Sequence, residues 1–250
     1  MLQQTQTSRV VEPWKRFLQH FPTPAACADA PLSSTLTLWE GLGYHRRAKS
    51  LHGAARMIRD EFGGTVPSDI EQLRRLPGVG DYTANAVASF AFHERVAVLD
   101  TNVGRVLARA VANRELRASE ARVIAHELLP RDGATAFNQA MLDLGAQFCK
   151  STPLCSTCPV MKVCKWTNEG GDDPAPNSAG VSRPQSAFHG SDRQVRGRVL
   201  ALLRERHLSK GALSRSVSDV QPGRLERILD GLVNDGLVEY RGRTIQLASS

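Results

Sequence analysis

Apolar residues recur at helical spacing along most of this 250-residue chain. Val10, Trp14, Phe17, Leu18 and Phe21 share one face, and Pro22 closes that segment. Ser68 with Glu71 has the form of a capping box, opening a helix through Ile70, Leu73 and Leu76 that Pro77 stops. After the turn Pro77-Gly78-Val79-Gly80, a second helix carries Ala84, Val87, Ala88 and Phe90. A short apolar run from Val96 to Leu99 leads into Asp100, which stands at an N-cap position before the periodic Val103, Val106, Leu107 and Ala110. Between about Glu169 and Gly190 the residues are mostly Gly, Pro, Asp, Asn and Ser, the composition of a flexible linker. Beyond it Val195, Val199, Leu202 and Leu203 form one helical stripe, Ala212, Leu213 and Val217 a second, and Leu225, Ile228, Leu229, Leu232 and Val233 a third. Leu237, Val238 and Tyr240 then alternate, Arg241-Gly242-Arg243 turns, and Ile245 with Leu247 returns. Three helices and a hairpin predict a small winged-helix-like module on an otherwise all-α protein.

Charge and cysteine usage narrow the chemistry. Lys and Arg outnumber Asp and Glu by 32 to 25, a net charge of +7 that favours a polyanionic partner. No run approaches the roughly 18 apolar residues of a membrane span. The opening MLQQTQTSRV lacks the basic flank and apolar centre of a signal peptide, so a cytoplasmic, nucleoid-associated monomer without a membrane partner is expected. Two glycines one residue apart, at Gly78 and Gly80, permit positive φ and leave the backbone open, so amides there and at the next helix can meet a phosphate. That arrangement grips a backbone rather than a base. Tyr44, His45, Arg46, Arg47, Lys49, Arg56 and Arg59 suit a solvated helix face and a DNA contact equally. Of the five cysteines, four lie in Cys149-x5-Cys155-x2-Cys158-x5-Cys164. In a reducing compartment that grouping indicates a metal site over disulfides. One Cys-x2-Cys flanked by single cysteines at wider spacing suits four thiolates around a [4Fe-4S] cluster; zinc, which usually takes two short knuckles, is the alternative. Lys150, Lys162 and Lys165 stand on the same loop, where they could meet phosphate. Cys27 reads as a small buried apolar residue.

In this order and spacing, the glycine hairpin, the aspartate before a helix and the cysteine loop resemble the helix-hairpin-helix, Gly-Pro-Asp superfamily of DNA glycosylases. Further motifs are similar to the MutY-type adenine glycosylases: Met1-Leu2-Gln3-Gln4-Thr5-Gln6, Leu38-Trp39, Gly41-Leu42-Gly43-Tyr44, Asp100-x-Asn102-Val103, Phe137-Asn138-Gln139-Ala140 and Leu142-Asp143-Leu144-Gly145. The resemblance covers about Met1 to Trp166. It implies a helix-hairpin-helix glycosylase core over residues 1–168 with an iron-sulfur loop at 149–164, followed by the linker, 169–190, and the winged-helix-like module, 191–250.

The same resemblance assigns roles. Gln3, Gln4 and Tyr44 fall where the family wedges double-stranded DNA open, and Pro77, Gly78, Val79 and Gly80 where it holds the backbone. Asp100 falls where it stabilises a cationic sugar, with Asn102 and Tyr82 positioning. Cys149, Cys155, Cys158 and Cys164 fall on its [4Fe-4S] ligands, with five residues between the first two where six are common. Bifunctional relatives carry a lysine at the position of Tyr82, so the implied enzyme is monofunctional: it hydrolyses the N-glycosidic bond of adenine opposite 8-oxoguanine or guanine and makes no lyase cut. The family's general acid is a glutamate two residues before the motif's methionine, ahead of Met1 here. The expectation is that an upstream coding segment supplies it; a chain impaired toward adenine is the alternative. Nothing after Glu169 resembles the Nudix-like domain of long family members. A thymine-excising T·G mismatch glycosylase and a non-catalytic lesion-binding protein are the competing functions.

Overall fold

The computed structural model describes residues 1–3, 5–178 and 187–249. The chain runs α1 (Thr7–His20), α2 (Pro24–Asp29), α3 (Leu32–Leu38), α4 (Arg46–Glu61), α5 (Ile70–Arg75), α6 (Asp81–Phe92), α7 (Thr101–Val106, continued as a π-helical segment Leu107–Ala112), α8 (Ala118–Glu127), α9 (Ala134–Gln147) and α10 (Lys165–Glu169). The C-terminal part adds α11 (Asp192–Glu205), β1 (Leu208–Ser209), α12 (Lys210–Ser216), α13 (Pro222–Asn234), β2 (Val238–Arg241) and β3 (Thr244–Leu247). Among the described residues no helix is long and apolar enough to cross a membrane.

These elements form two compact units that cut across the boundaries expected from sequence. The first joins Met1–Pro67 and Leu76–Gly78 to Gln185–Ser250. Its largest core shows why: Val10, Leu32, Leu36, Trp39 and Leu42 are buried together with Val199, Leu203, Leu229, Leu232 and Ile245. The C-terminal residues therefore share one hydrophobic core with the N-terminal helices. Polar contacts reinforce it: Arg46 and Arg196 both pair with Asp235, Lys49 donates to the Asp235 carbonyl at 2.9 Å, and Leu32 N–H donates to Ser249 O. The winged-helix pattern is present, with strand order β1-β3-β2, all antiparallel, and Gly242 at φ +60° turning the hairpin. β1, two residues long, gave no periodic signal. On α1 Val10 and Phe17 are buried, as is Phe21 just after it, whereas Trp14 and Leu18 keep 50% and 45% exposure, so only one flank of the expected stripe is covered by the described residues.

The second unit comprises Ser68–Arg75 and Val79–Pro184. Val103, Leu107, Ala108, Leu116, Ala121 and Ala125 form its core, and Ala175 is buried with them. That corrects the linker. Ser178 accepts from Leu116 N–H and Asp173 from Ala175 N–H, so residues 173–178 pack as part of this unit despite their composition. The remainder of the expected linker includes 179–186, outside the described residues.

Candidate active site and cysteine loop

The hairpin is built by a cap different from the one expected. Asp69, not Ser68, accepts the Gln72 N–H at 2.9 Å at the start of α5. The one-residue shift leaves Glu71 in the first turn and ends the helix at Arg75, ahead of Pro77. Gly78 has φ +78°, and a Cβ there would stand 2.5 Å from Ser50 Cβ, so both conformation and space require glycine. Gly80 differs: its φ is −96°, any residue could adopt it, and nothing lies within 4 Å of an added Cβ. Gly80 therefore leaves backbone open to solvent at the N-cap of α6, where amides can receive a phosphate. Val79 is half-buried.

The aspartate is placed by a lattice of amides. Asn138 donates to Val96 O (2.8 Å) and Ser89 Oγ (2.9 Å) and accepts from Val98 N–H; Asn85 donates to Ala97 O at 3.0 Å. Together they hold the extended Val96–Leu99 segment, whose backbone groups have no helix or sheet to satisfy them. Asp100 then caps α7, with Oδ1 accepting from Val103 N–H at 2.8 Å and Oδ2 accepting from Asn102 Nδ2 at 2.9 Å. Asn102 Oδ1 in turn accepts from Arg105 at 2.7 Å, and Arg105 also donates to Gly145 O and Cys149 O. Gly145 is a close approach: a Cβ there would lie 2.5 Å from Asn102 O. Tyr82, in the first turn of α6, keeps 41% exposure. Burial, and then the nearby Asp100 carboxylate, push its phenol pKa up, so the hydroxyl stays protonated. The three expected catalytic residues, Asp100, Asn102 and Tyr82, thus lie in one unit and share one electrostatic environment.

Cys149, Cys155, Cys158 and Cys164 line a single cavity and form no disulfides. Short 3-10 turns, Cys155–Thr157 and Met161–Val163, fold the loop back on itself. Among the described residues no group of three or more His, Cys, Asp or Glu closes tightly enough to hold one metal ion. Four thiols on one cavity are a donor set for a thiolate-bound metal centre. Burial pushes the Cys149 thiol up, opposed by the guanidinium of Arg109, which reaches its Sγ at 3.5 Å. Arg109 is 1% exposed, on the π-helical segment, paired with Asp173 at 2.6 Å and donating to Lys150 O and Ser151 O. It also stacks over Trp166, 5.4 Å from the ring centroid. Lys150, Lys162 and Lys165 are exposed, and Cys27 is buried.

In the first unit Tyr44 has φ +48° and is preceded by Gly41 and Gly43, also at positive φ. Gln3 donates to Gly78 O at 3.4 Å; Gln4 lies outside the described residues. In the basic stretch beside Tyr44, Arg46, Lys49 and Arg56 are exposed, yet several of its side chains are engaged by protein groups. Arg47 donates to Met1 O, Gln3 O, Thr5 Oγ1, Leu42 O and Gly43 O, while Arg46 and Lys49 are taken by Asp235. Sequence reasoning missed Arg105, Arg109, Asn85 and Asp173; Arg47 was visible only within the basic stretch, and Asn138 only as part of a motif.

Residues 1–131 match the model of the "HhH-GPD superfamily base excision DNA repair protein" family. The adenine DNA glycosylase of Mycobacterium tuberculosis is 43% identical over 95% of this chain and 79% of its own length, a span that takes in most of the C-terminal module. The human adenine DNA glycosylase is 41% identical over 66% of this chain and 32% of its own. Among solved structures, a thermostable thymine-DNA glycosylase superposes with a TM-score of 0.61 at 26% identity, covering 67% of this chain and 80% of that one. A trapped endonuclease III–DNA covalent intermediate gives 0.60 at 27%, with the same coverage. The chain belongs to the HhH-GPD superfamily of base excision DNA repair proteins, and within it to the family of the adenine DNA glycosylases.

Proposed function

We propose that this chain is a monofunctional adenine DNA glycosylase acting on adenine opposite 8-oxoguanine or guanine in double-stranded DNA. The observation that carries the reading is the doubly held Asp100: both carboxylate oxygens are engaged, by Val103 N–H and Asn102, so its charge is aimed and its geometry fixed before substrate arrives. A flipped-out nucleotide whose glycosidic bond is breaking develops positive charge on the sugar, and a preorganised carboxylate stabilises it. Tyr82 supplies a neutral phenol close to Asp100 and no amine, so no Schiff base forms. The hairpin residues Pro77 to Gly80 hold the DNA backbone, and Gln3, Gln4 and Tyr44 contact the opened duplex. Identity to adenine-specific relatives favours adenine over thymine, although the tyrosine also suits a thymine enzyme.

The four cysteines hold a [4Fe-4S] cluster in this reading, their shared cavity admitting a metal centre and their Cys-x5-Cys-x2-Cys-x5-Cys spacing supporting the cluster over zinc. When bound, the cluster cross-links the loop that also presents Lys150, Lys162 and Lys165. Arg109 and Arg105 lend positive charge to thiolates that burial alone would disfavour. Single-turnover release from A·8-oxoG and from T·G duplexes tests the function. Adenine release is expected, with no borohydride-trapped adduct; faster thymine release, or a trapped adduct, sinks it.

A further inference from the structure

We infer that Arg193, on the C-terminal module, is a positioning residue for DNA recognition, acting through the hydroxyl of Tyr44. The inference rests on the DNA-binding reading above and concerns residues of one unit. Tyr44 sits in a turn where Gly41, Gly43 and Tyr44 itself all have positive φ. For a bulky aromatic that conformation is uncommon and persists only when the surroundings over-determine it. Two contacts do so. Arg47 lies 5.5 Å from the ring centroid, and Arg193 Nη1 donates to the Tyr44 hydroxyl at 3.0 Å. The residue is still 37% exposed, so a strained, clamped aromatic is offered to solvent. Its surroundings point at DNA: Arg47 also binds the carbonyl of Gln3, whose side chain donates to Gly78 O in the hairpin turn. An aromatic plate held in this way can stack on an unpaired or displaced base.

Arg193 is presented rigidly. It stands in the first turn of α11, whose N-cap Ser191 accepts from Gln194 N–H and whose Val195, Val199 and Leu203 are buried. The module thus fixes the ring that enters the stack, and needs no base contact of its own to influence which duplex is bound.

The test measures Kd for a duplex carrying uncleavable 2′-fluoro-adenosine opposite 8-oxoguanine, relative to a matched duplex, with thermal midpoints recorded. Arg193→Ala and Tyr44→Phe are each expected to reduce the preference about fivefold, the weight of one hydrogen bond, and the double variant no further. Arg193→Lys, which retains a donor, restores part of it. Additive losses, or a Tyr44→Phe preference equal to wild type, overturn the inference; the latter variant leaves no cavity, so misfolding cannot account for the result. A wild-type chain with no preference overturns it too. If the wild type prefers the mispair but releases no adenine, only the enzymatic reading fails.

Discussion

At the scale of single residues, Asp100 joins an observed structural role to the chemical one proposed for it. Capping α7 uses one oxygen and Asn102 the other, so the hydrogen bonds that stabilise the helix also fix the direction of the charge. Asp100→Asn preserves the shape and removes the charge. Adenine release should fall at least 10²- to 10³-fold while DNA binding persists, measured by single-turnover excision and gel shift. Gly145→Ala tests the same site from behind. With 2.5 Å to Asn102 O, the added methyl must displace α7 backbone, at a cost of about 1–3 kcal/mol in unfolding free energy and a loss of excision beyond what stability explains. Asp100 was legible because capping is local, three residues from cap to amide. Asn138 and the carbonyl contacts of Arg105 were not, because those partners stand 40 or more residues away and no spacing rule reaches them.

Elements show the same division between local and distant causes. The hairpin and the cysteine loop could be found from spacing, whereas the packing at the start of α4 could not: a run of basic side chains looks solvated until Asp235 and the N-terminal carbonyls are brought to it. His45 stands in that packing. Burial first, then the positive charges of Arg204, Arg196 and Arg47, lower its pKa to about 4. The unfolded chain, with an ordinary imidazole near 6.5, binds the proton more readily, so stability is fully present above pH 6.5 and declines as pH falls from there toward 4. Thermal midpoints measured across that window should show the decline in wild type and a shallower one in His45→Gln. On the cysteine loop, Arg109→Ala strips one side of a buried pair and leaves Asp173 unmatched. The variant should lose iron and sulfide on purification and expose residues 173–178 to proteolysis; a wild type containing zinc instead would contradict the cluster assignment.

For the whole molecule, the sequence suggested beads on a string, a catalytic core and a tail joined by a linker. Composition gave that impression because Pro174, Ala175 and Ser178 look like linker residues singly, yet all three are buried. Likewise the helical stripes of the tail announced a core without telling whose core it was. They pack with Leu32, Leu36, Trp39 and Leu42, so the N-terminal helices depend on residues 187–249. Each of these side chains contributes about 1.5–3 kcal/mol by burial. A chain ending before residue 187 is therefore expected to lose helicity and aggregate, rather than survive as an intact glycosylase lobe, as circular dichroism and sedimentation would show. The catalytic claim is tested most directly by single-turnover release of adenine from an A·8-oxoG duplex, wild type beside Asp100→Asn. Free adenine is expected from the wild type and almost none from the variant at equal DNA occupancy. Equal release from both, or thymine from T·G released in preference to adenine, would contradict it.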